Sequence, residues 1–342
     1  MNGTNIMDVN SITAWTHRLR KLSLYILFLL VFSNAWSQEI NLFSGTMVDS
    51  ETGDRSYAWQ LEYGEEIANH FTCSVSYLNE GHLPDNHRDG DIFQLWIYQK
   101  FLDQRLSVAG GIGPYYYYDT TIANNGSSYS NAHGLGYIAS LAATWDMENH
   151  WLAQLRTNII HTQDDLDTTV LLIGIGYRFN MTIPVQEYSA RTLEQGKRLN
   201  NEVTILMGQS ILNSFGSQNS YAGCIEYRRA LLRYVEWTVA YLDEGDNDVL
   251  HRHGLNTQLW LIRNVIYDNL WFGIGGGLYV VNEKIEKDTS ATSSSESTSG
   301  IFSITGTYRF HPSWDARITW NRVISHNNLD TDVILGGFGY RF

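Results

Sequence analysis

At 342 residues the chain is long enough for one large domain or two smaller ones. A formal charge of -13 and a pI of about 5.2 set its surface against a nucleic-acid backbone, and a mean hydropathy of -0.25 excludes a bundle of long apolar helices. Aromatic residues make up 13% and there are 29 glycines, a composition that suits many strands.

The first element in chain order reads as a leader. His17, Arg18, Arg20 and Lys21 precede the apolar run LSLYILFLLVFS, and Ala35-Trp36-Ser37 places small residues at the cleavage positions. This pattern predicts a secretory signal peptide over 1–37, cut before Gln38. The apolar run is shorter than the ~20 residues that an anchor helix needs to span a bilayer.

Residues 38–179 carry period-two segments at 40–48, 57–64, 71–79, 92–100, 106–118, 136–146, 151–161 and 168–179, with turn signals between them. Lengths of about nine to twelve residues suit tilted strands crossing a membrane. In 168–179, Leu171, Ile173, Ile175, Tyr177 and Phe179 share one face, and Gly174, Gly176 and Arg178 the other. In 92–100, Phe93, Leu95 and Ile97 oppose Gln94, Trp96, Tyr98 and Lys100. One face is apolar; the other is mixed, with charges.

The polar stretch 180–201 shows no strand alternation and reads as a linker. Residues 202–342 then repeat the first copy: AYLDEGDNDVLHRHGLNTQLWLI follows SYLNEGHLPDNHRDGDIFQLWIY, and LDTDVILGGFGYRF follows LDTTVLLIGIGYRF. The expected fold is all-β: two tandem eight-stranded antiparallel transmembrane β-barrels, 38–179 and 202–342, with one sixteen-stranded barrel as the alternative. Inward Trp96 and Trp260 are expected to fill narrow polar lumens. Cys73 and Cys224 fall at non-corresponding positions, which supports no disulfide; both read as small buried residues, or Cys73 as a lipid-facing one.

Four inward charges, Glu62 and Arg178 with their counterparts Glu226 and Arg341, predict lumen ion pairs that fix strand register. Arg156 is a further inward cation, whose counterpart is Thr319. With the termini periplasmic, the opposite connections converge on an outward-facing mouth. There Glu80, His87, Arg88 and Asp167 of the first copy match Glu244, His251, Arg252 and Asp330 of the second, beside unmatched His82, Asp89 and His133. Such a ring suits a polar rim, a divalent cation, the only cofactor in view, or cation-bridged lipopolysaccharide phosphates. The repeated Glu-Gly and His-Arg-x-Gly sequences predict tight loops with glycines at positive φ. The Ser-rich stretch 287–300 reads as an outer loop.

The terminal Gly-Tyr-Arg-Phe resembles the assembly signal of bacterial outer-membrane proteins, which implies the barrel assembly machinery as a partner and the outer membrane of a Gram-negative bacterium as the location. The eight-strand plan, that ending and His161 at the end of the seventh strand also resemble the lipid A 3-O-deacylase and acyloxyacyl-hydrolase-like barrels. In that family a His-x-Ser-Asn motif supplies base and nucleophile, and an acidic residue orients the His. Here the first copy reads His161-Thr162-Gln163-Asp164 and the second Ser325-His326-Asn327-Asn328, so neither keeps the nucleophilic Ser. The leading expectation is a structural or surface-interaction role. A lipid A or phospholipid acyl hydrolase using His161 or His326 is one alternative, and a pore is another.

Overall fold

The structure, a computed structural model, describes residues 37–83, 86–122, 129–162, 166–179, 201–214, 217–232, 234–247, 250–266, 269–286, 292–325 and 329–342. All but the last residue of the expected signal peptide, and all but the last residue of the expected linker, lie outside these residues, as do Asp164, Asp165 and His326.

Alternating side chains rich in β-branched and aromatic residues favour extended backbone that packs on one face. The first copy forms β1 (Gln38–Asp49), β2 (Arg55–Ala68), β3 (Phe71–Leu83), β4 (Asn86–Phe101), β5 (Leu106–Ile122), β6 (Tyr129–Asp146), β7 (Trp151–His161) and β8 (Thr168–Phe179). The second forms β9 (Asn201–Leu212), β10 (Asn219–Leu232), β11 (Val235–Asp246), β12 (Leu250–Ile266), β13 (Leu270–Glu286), β14 (Thr292–His311), β15 (Trp314–Ile324) and β16 (Thr331–Arg341).

Each set closes on itself as an antiparallel barrel. Gln38 lies opposite Phe179 and Asp49 opposite Thr168 where β1 meets β8; Glu202 lies opposite Arg341 and Leu212 opposite Thr331 where β9 meets β16. A sixteen-stranded barrel would require β8 to pair with β9. Closing each repeat separately leaves no strand edge unpaired, as a bilayer demands.

The exteriors are apolar. Leu171, Ile173 and Ile175 on β8, and Ile205 and Met207 on β9, are all exposed, as are Leu, Ile and Phe residues around both barrels. In water such belts would aggregate; against lipid tails they are matched. At the end where the chain enters and leaves, Trp151 meets Tyr177 and Trp314 meets Tyr340, with ring centroids 5.3 and 5.0 Å apart, as in an interfacial aromatic girdle.

At the opposite end the strands outrun the sequence pattern. Segments 80–91 and 119–135, read as loops, belong largely to β3–β4 and β5–β6. Backbone pairing continues beyond the apolar belt, where outward residues turn polar and the alternation fades. Gly81 and Gly245 hold φ of +74° and +75° at bulges in β3 and β11, and their amides donate to Asn79 and Asp243 at 3.0 and 2.9 Å. Gly90 and Gly254 are not at positive φ; they sit in regular strand, where a Cβ would strike Tyr115 and the Val280 carbonyl.

The lumens are filled in layers rather than uniformly polar. In the first barrel, Leu78, Ile92, Ile138, Ile160 and Val170 form an apolar layer. Beneath it, Gln60 donates to Ser76 and Gln94 to Ser140, at 2.8 and 2.9 Å. Leu242, Val323 and Val333 belong to the corresponding apolar layer of the second barrel. Trp96 and Trp260 are buried, each donating its indole N–H at 2.9 Å, to Ser74 and Thr238. Gly111 and Gly275 make room for them: a Cβ on either would lie 2.5 Å from the indole. Cys224 is buried, and Cys73, on the outward face of β3, is partly buried; both are free thiols.

Candidate functional site

The four repeated mouth positions do not form one exposed ring. Glu80 and Arg88 lie inside the lumen, 0% and 2% exposed, as a two-pronged ion pair at 2.6 and 3.0 Å. Their remaining valences are met locally. Tyr115 donates to Glu80 at 2.8 Å and Thr168 donates to it as well, while Arg88 donates to the Leu166 carbonyl at 2.6 Å. A buried charge pair holds only when both partners are satisfied in this way.

The second barrel keeps this plug with one addition. Arg252 lies 3.7 Å from Glu244 but bonds Glu283 at 2.9 Å, and Thr331 donates to Glu244 at 2.6 Å. Glu283 stands where the first barrel has Asp119, which instead accepts from Asn86 at 2.9 Å. Sequence reasoning missed Glu283 and Asp119; their inward position on β13 and β5 was the available signal.

His87 sits apart from Arg88 because neighbours on a strand point to opposite faces. Its ring stacks on His82 at 4.2 Å, and its Nδ1 lies 2.7 Å from the Gly81 carbonyl. His251 meets His253 edge-on at 5.2 Å. Asp167 and Asp330 tie down the β7–β8 and β15–β16 connections: Thr162 N–H donates to Asp167 at 3.3 Å, and Ser325 N–H to Asp330 at 2.7 Å. Among the described residues no three His, Cys, Asp or Glu are grouped to hold a metal.

The pairs expected near the other end are redistributed. Glu62 is held by Arg156, at 2.6 and 2.7 Å, not by Arg178, which pairs with Asp146 and Glu39. Glu226 is held by Arg317 and Arg228, at 2.9 and 3.0 Å, while Arg341 approaches Glu202 at 3.8 Å. Arg178 lies opposite Glu39 and Arg341 opposite Glu202, each two residues nearer the barrel end than the level of Glu62 and Glu226. A polar cavity of about 210 Å³, lined in part by Glu39, Lys100, Arg156 and Arg178, occupies that end of the first lumen.

His161 is exposed on the outward face of β7 and donates from Nδ1 to Asp167 at 2.6 Å, beside the Tyr137 ring at 5.0 Å. One residue pair further along the same face begins an apolar depression of about 660 Å³, lined in part by Gly110, Ala139, Leu141 and Ile159. Several residues that build these features are not repeated in the second barrel. The shared connection puts Thr162 opposite Ser325 in the repeat, so Ile324 stands in place of His161, and Ile274 and Phe302 replace Gly110 and Ala139. A His–Asp pair can orient and hold a proton acceptor. The nearest hydroxyl in sequence, on Thr162, turns into the lumen and donates to the Leu166 carbonyl at 3.1 Å.

No protein-family model matches the sequence, and no curated protein does. Among solved structures, the N-terminal β-barrel domain of OprF from Pseudomonas aeruginosa is similar at 12% identity, covering 42% of this chain and 98% of its own, with a TM-score of 0.35. Ail, the attachment invasion locus protein of Yersinia pestis, matches at 12% identity over 43% of this chain and 100% of its own, with a TM-score of 0.34. Neisserial surface protein A matches at 12% identity over 41% and 95%, with a TM-score of 0.31.

Proposed function

We propose that the chain is a non-conducting outer-membrane protein whose two sealed barrels serve a structural or surface-interaction role, facing outer-leaflet lipid or lipopolysaccharide and delivered by the barrel assembly machinery. The observation that carries this reading is the double plug: Glu80–Arg88 and Glu244–Arg252–Glu283 close the two lumens above continuous apolar layers. An ion would have to break a buried charge pair and then cross a layer built mainly of aliphatic side chains. The apolar belts, the leader pattern and the aromatic C-terminal strand support the location. Purified protein in planar bilayers is expected to give no stepwise conductance. Unitary currents would overturn the reading and favour the pore.

A second reading, lipid acyl hydrolysis by the first barrel alone, is favoured by one observation. The His161–Asp167 pair lies at the head of a lipid-facing apolar depression, where an acyl chain would rest with its ester beside the imidazole. His161 would act as base and Asp167 would orient it; the nucleophile on this reading is water.

A further inference from the structure

Outward side chains on a membrane barrel face lipid unless something covers them. Asp89, Glu65 and Tyr118 of the first barrel, and Arg322 of the second, are all outward by strand alternation, yet each is at most 5% exposed. What covers them is the other barrel.

Arg322 on β15 donates across the gap to Asp89 on β4 at 2.8 Å and, within its own barrel, to Asp332 at 2.6 Å. Its guanidinium lies 4.3 Å over the Tyr118 ring. Tyr77 completes Asp89 with a hydrogen bond of 2.8 Å and meets Trp320 edge-on at 5.3 Å. Towards the other end, Arg263 bonds Glu65 at 3.0 Å and Tyr63 stacks on Phe272 at 5.2 Å. The two charge contacts lie near opposite ends of the strands, so they restrict tilt as well as separation.

The repeat lacks these charges where they would be idle. Asp89 corresponds to His253, Glu65 to Arg229, Arg322 to Ile159 and Arg263 to Gln99. Face β2–β5 of the first barrel therefore meets face β12–β15 of the second, and neither barrel carries both halves of the match. Such a heterologous contact propagates only when each unit bears both complementary faces. Lipid tails offer no counter-charge to Arg322, whereas packed side chains and hydrogen bonds do hold membrane elements together.

We propose that this asymmetric face is a docking interface through which the two barrels recognise each other in the membrane, holding them as one closed pair independently of the segment 180–200. The test uses the full chain with a protease site placed in that segment and an affinity tag after residue 37. After extraction in mild detergent and cleavage, the two halves are expected to co-elute. Arg322→Asp or Asp89→Arg alone is expected to cut the co-eluting second half at least tenfold, and the two together to restore it. Separation of the halves of the unsubstituted protein, or equal retention in both single variants, would overturn the proposal. Should either single variant fail to give barrels that resist unfolding in cold detergent, Tyr77→Cys with Trp320→Cys decides the matter. Oxidation is expected to join the cleaved halves only when both thiols are present, and no joining would overturn it. Retention abolished by added lipopolysaccharide would identify a lipid headgroup as the true occupant of the face and would equally overturn it.

Discussion

The two lumens solve one problem with different residues. Both keep a glutamate on the second strand of the repeat, Glu62 and Glu226, and a tryptophan on the fourth, Trp96 and Trp260. The first barrel satisfies them with one cation: Arg156 grips Glu62 and lies 4.6 Å over Trp96. The second divides the work, with Arg317 and Arg228 on Glu226 and Arg228 alone over Trp260, at 4.4 Å. Arg317 occupies the position of Gln154, and Thr319 that of Arg156. Positions two apart on a strand share a face, so a cation can move along the strand without leaving the lumen. What is kept is the anion and the ring; the cation is exchangeable in position.

The plugs at the far end mark the strongest form of this comparison, because there the arginine is not exchanged. Arg88→Ala should cost the first barrel about 3–5 kcal/mol by leaving Glu80 buried and unpaired. Arg252→Ala should cost the second more, since two carboxylates, Glu244 and Glu283, lose their cation together. Urea midpoints of detergent-folded protein, read by cold-gel mobility, would rank them, and equal losses would remove the distinction drawn between the plugs. A smaller effect sharpens the comparison at the other end. Arg156→Thr should cost about 2–3 kcal/mol through lost charged hydrogen bonds to Glu62. Adding Gln154→Arg should recover most of that by importing the second barrel's arrangement; a double variant no better than the single would show that the cation is fixed in position after all.

The smallest stability effect belongs to the feature found in the first barrel alone. His161→Ala should change stability by no more than about 0.5 kcal/mol, because the ring is exposed. Its informative readout is mass spectrometry of lipid A and phospholipids from membranes with and without the protein. An acyl chain lost with the unsubstituted protein and retained with His161→Ala supports the hydrolytic reading. Unchanged lipids in both end it for the lipids tested.

Period and repetition made the architecture legible. Eight alternating segments per copy, and a closing strand written twice, carry the barrel count because side-chain alternation is a local property of strands. Partners across a lumen are not local. Arg156 reaches Glu62 from β7 to β2, 94 residues away, and only closure brings them together. Arg178, chosen for matching Arg341, shared the right face but not the right depth. The mouth residues were misplaced for a related reason: Glu80 and Arg88 looked like loop residues where apolar alternation ended, although pairing continued. Aligning His161 with His326 by residue type slipped the repeat, which the shared Thr162 and Ser325 amide contacts restore. Nothing local marked Arg322 as a docking residue, since its burial depends on a second barrel.

Each repeat has an even number of strands, so the polypeptide leaves a barrel on the face of the bilayer from which it entered. Phe179 and Asn201 accordingly lie at the same end of their barrels as Gln38 and Phe342. Parity makes the unit copyable. A duplicated odd-stranded unit would present its second copy upside down, with plug and girdle exchanged, whereas here copying a whole unit delivers another in the same orientation with no strand added or removed.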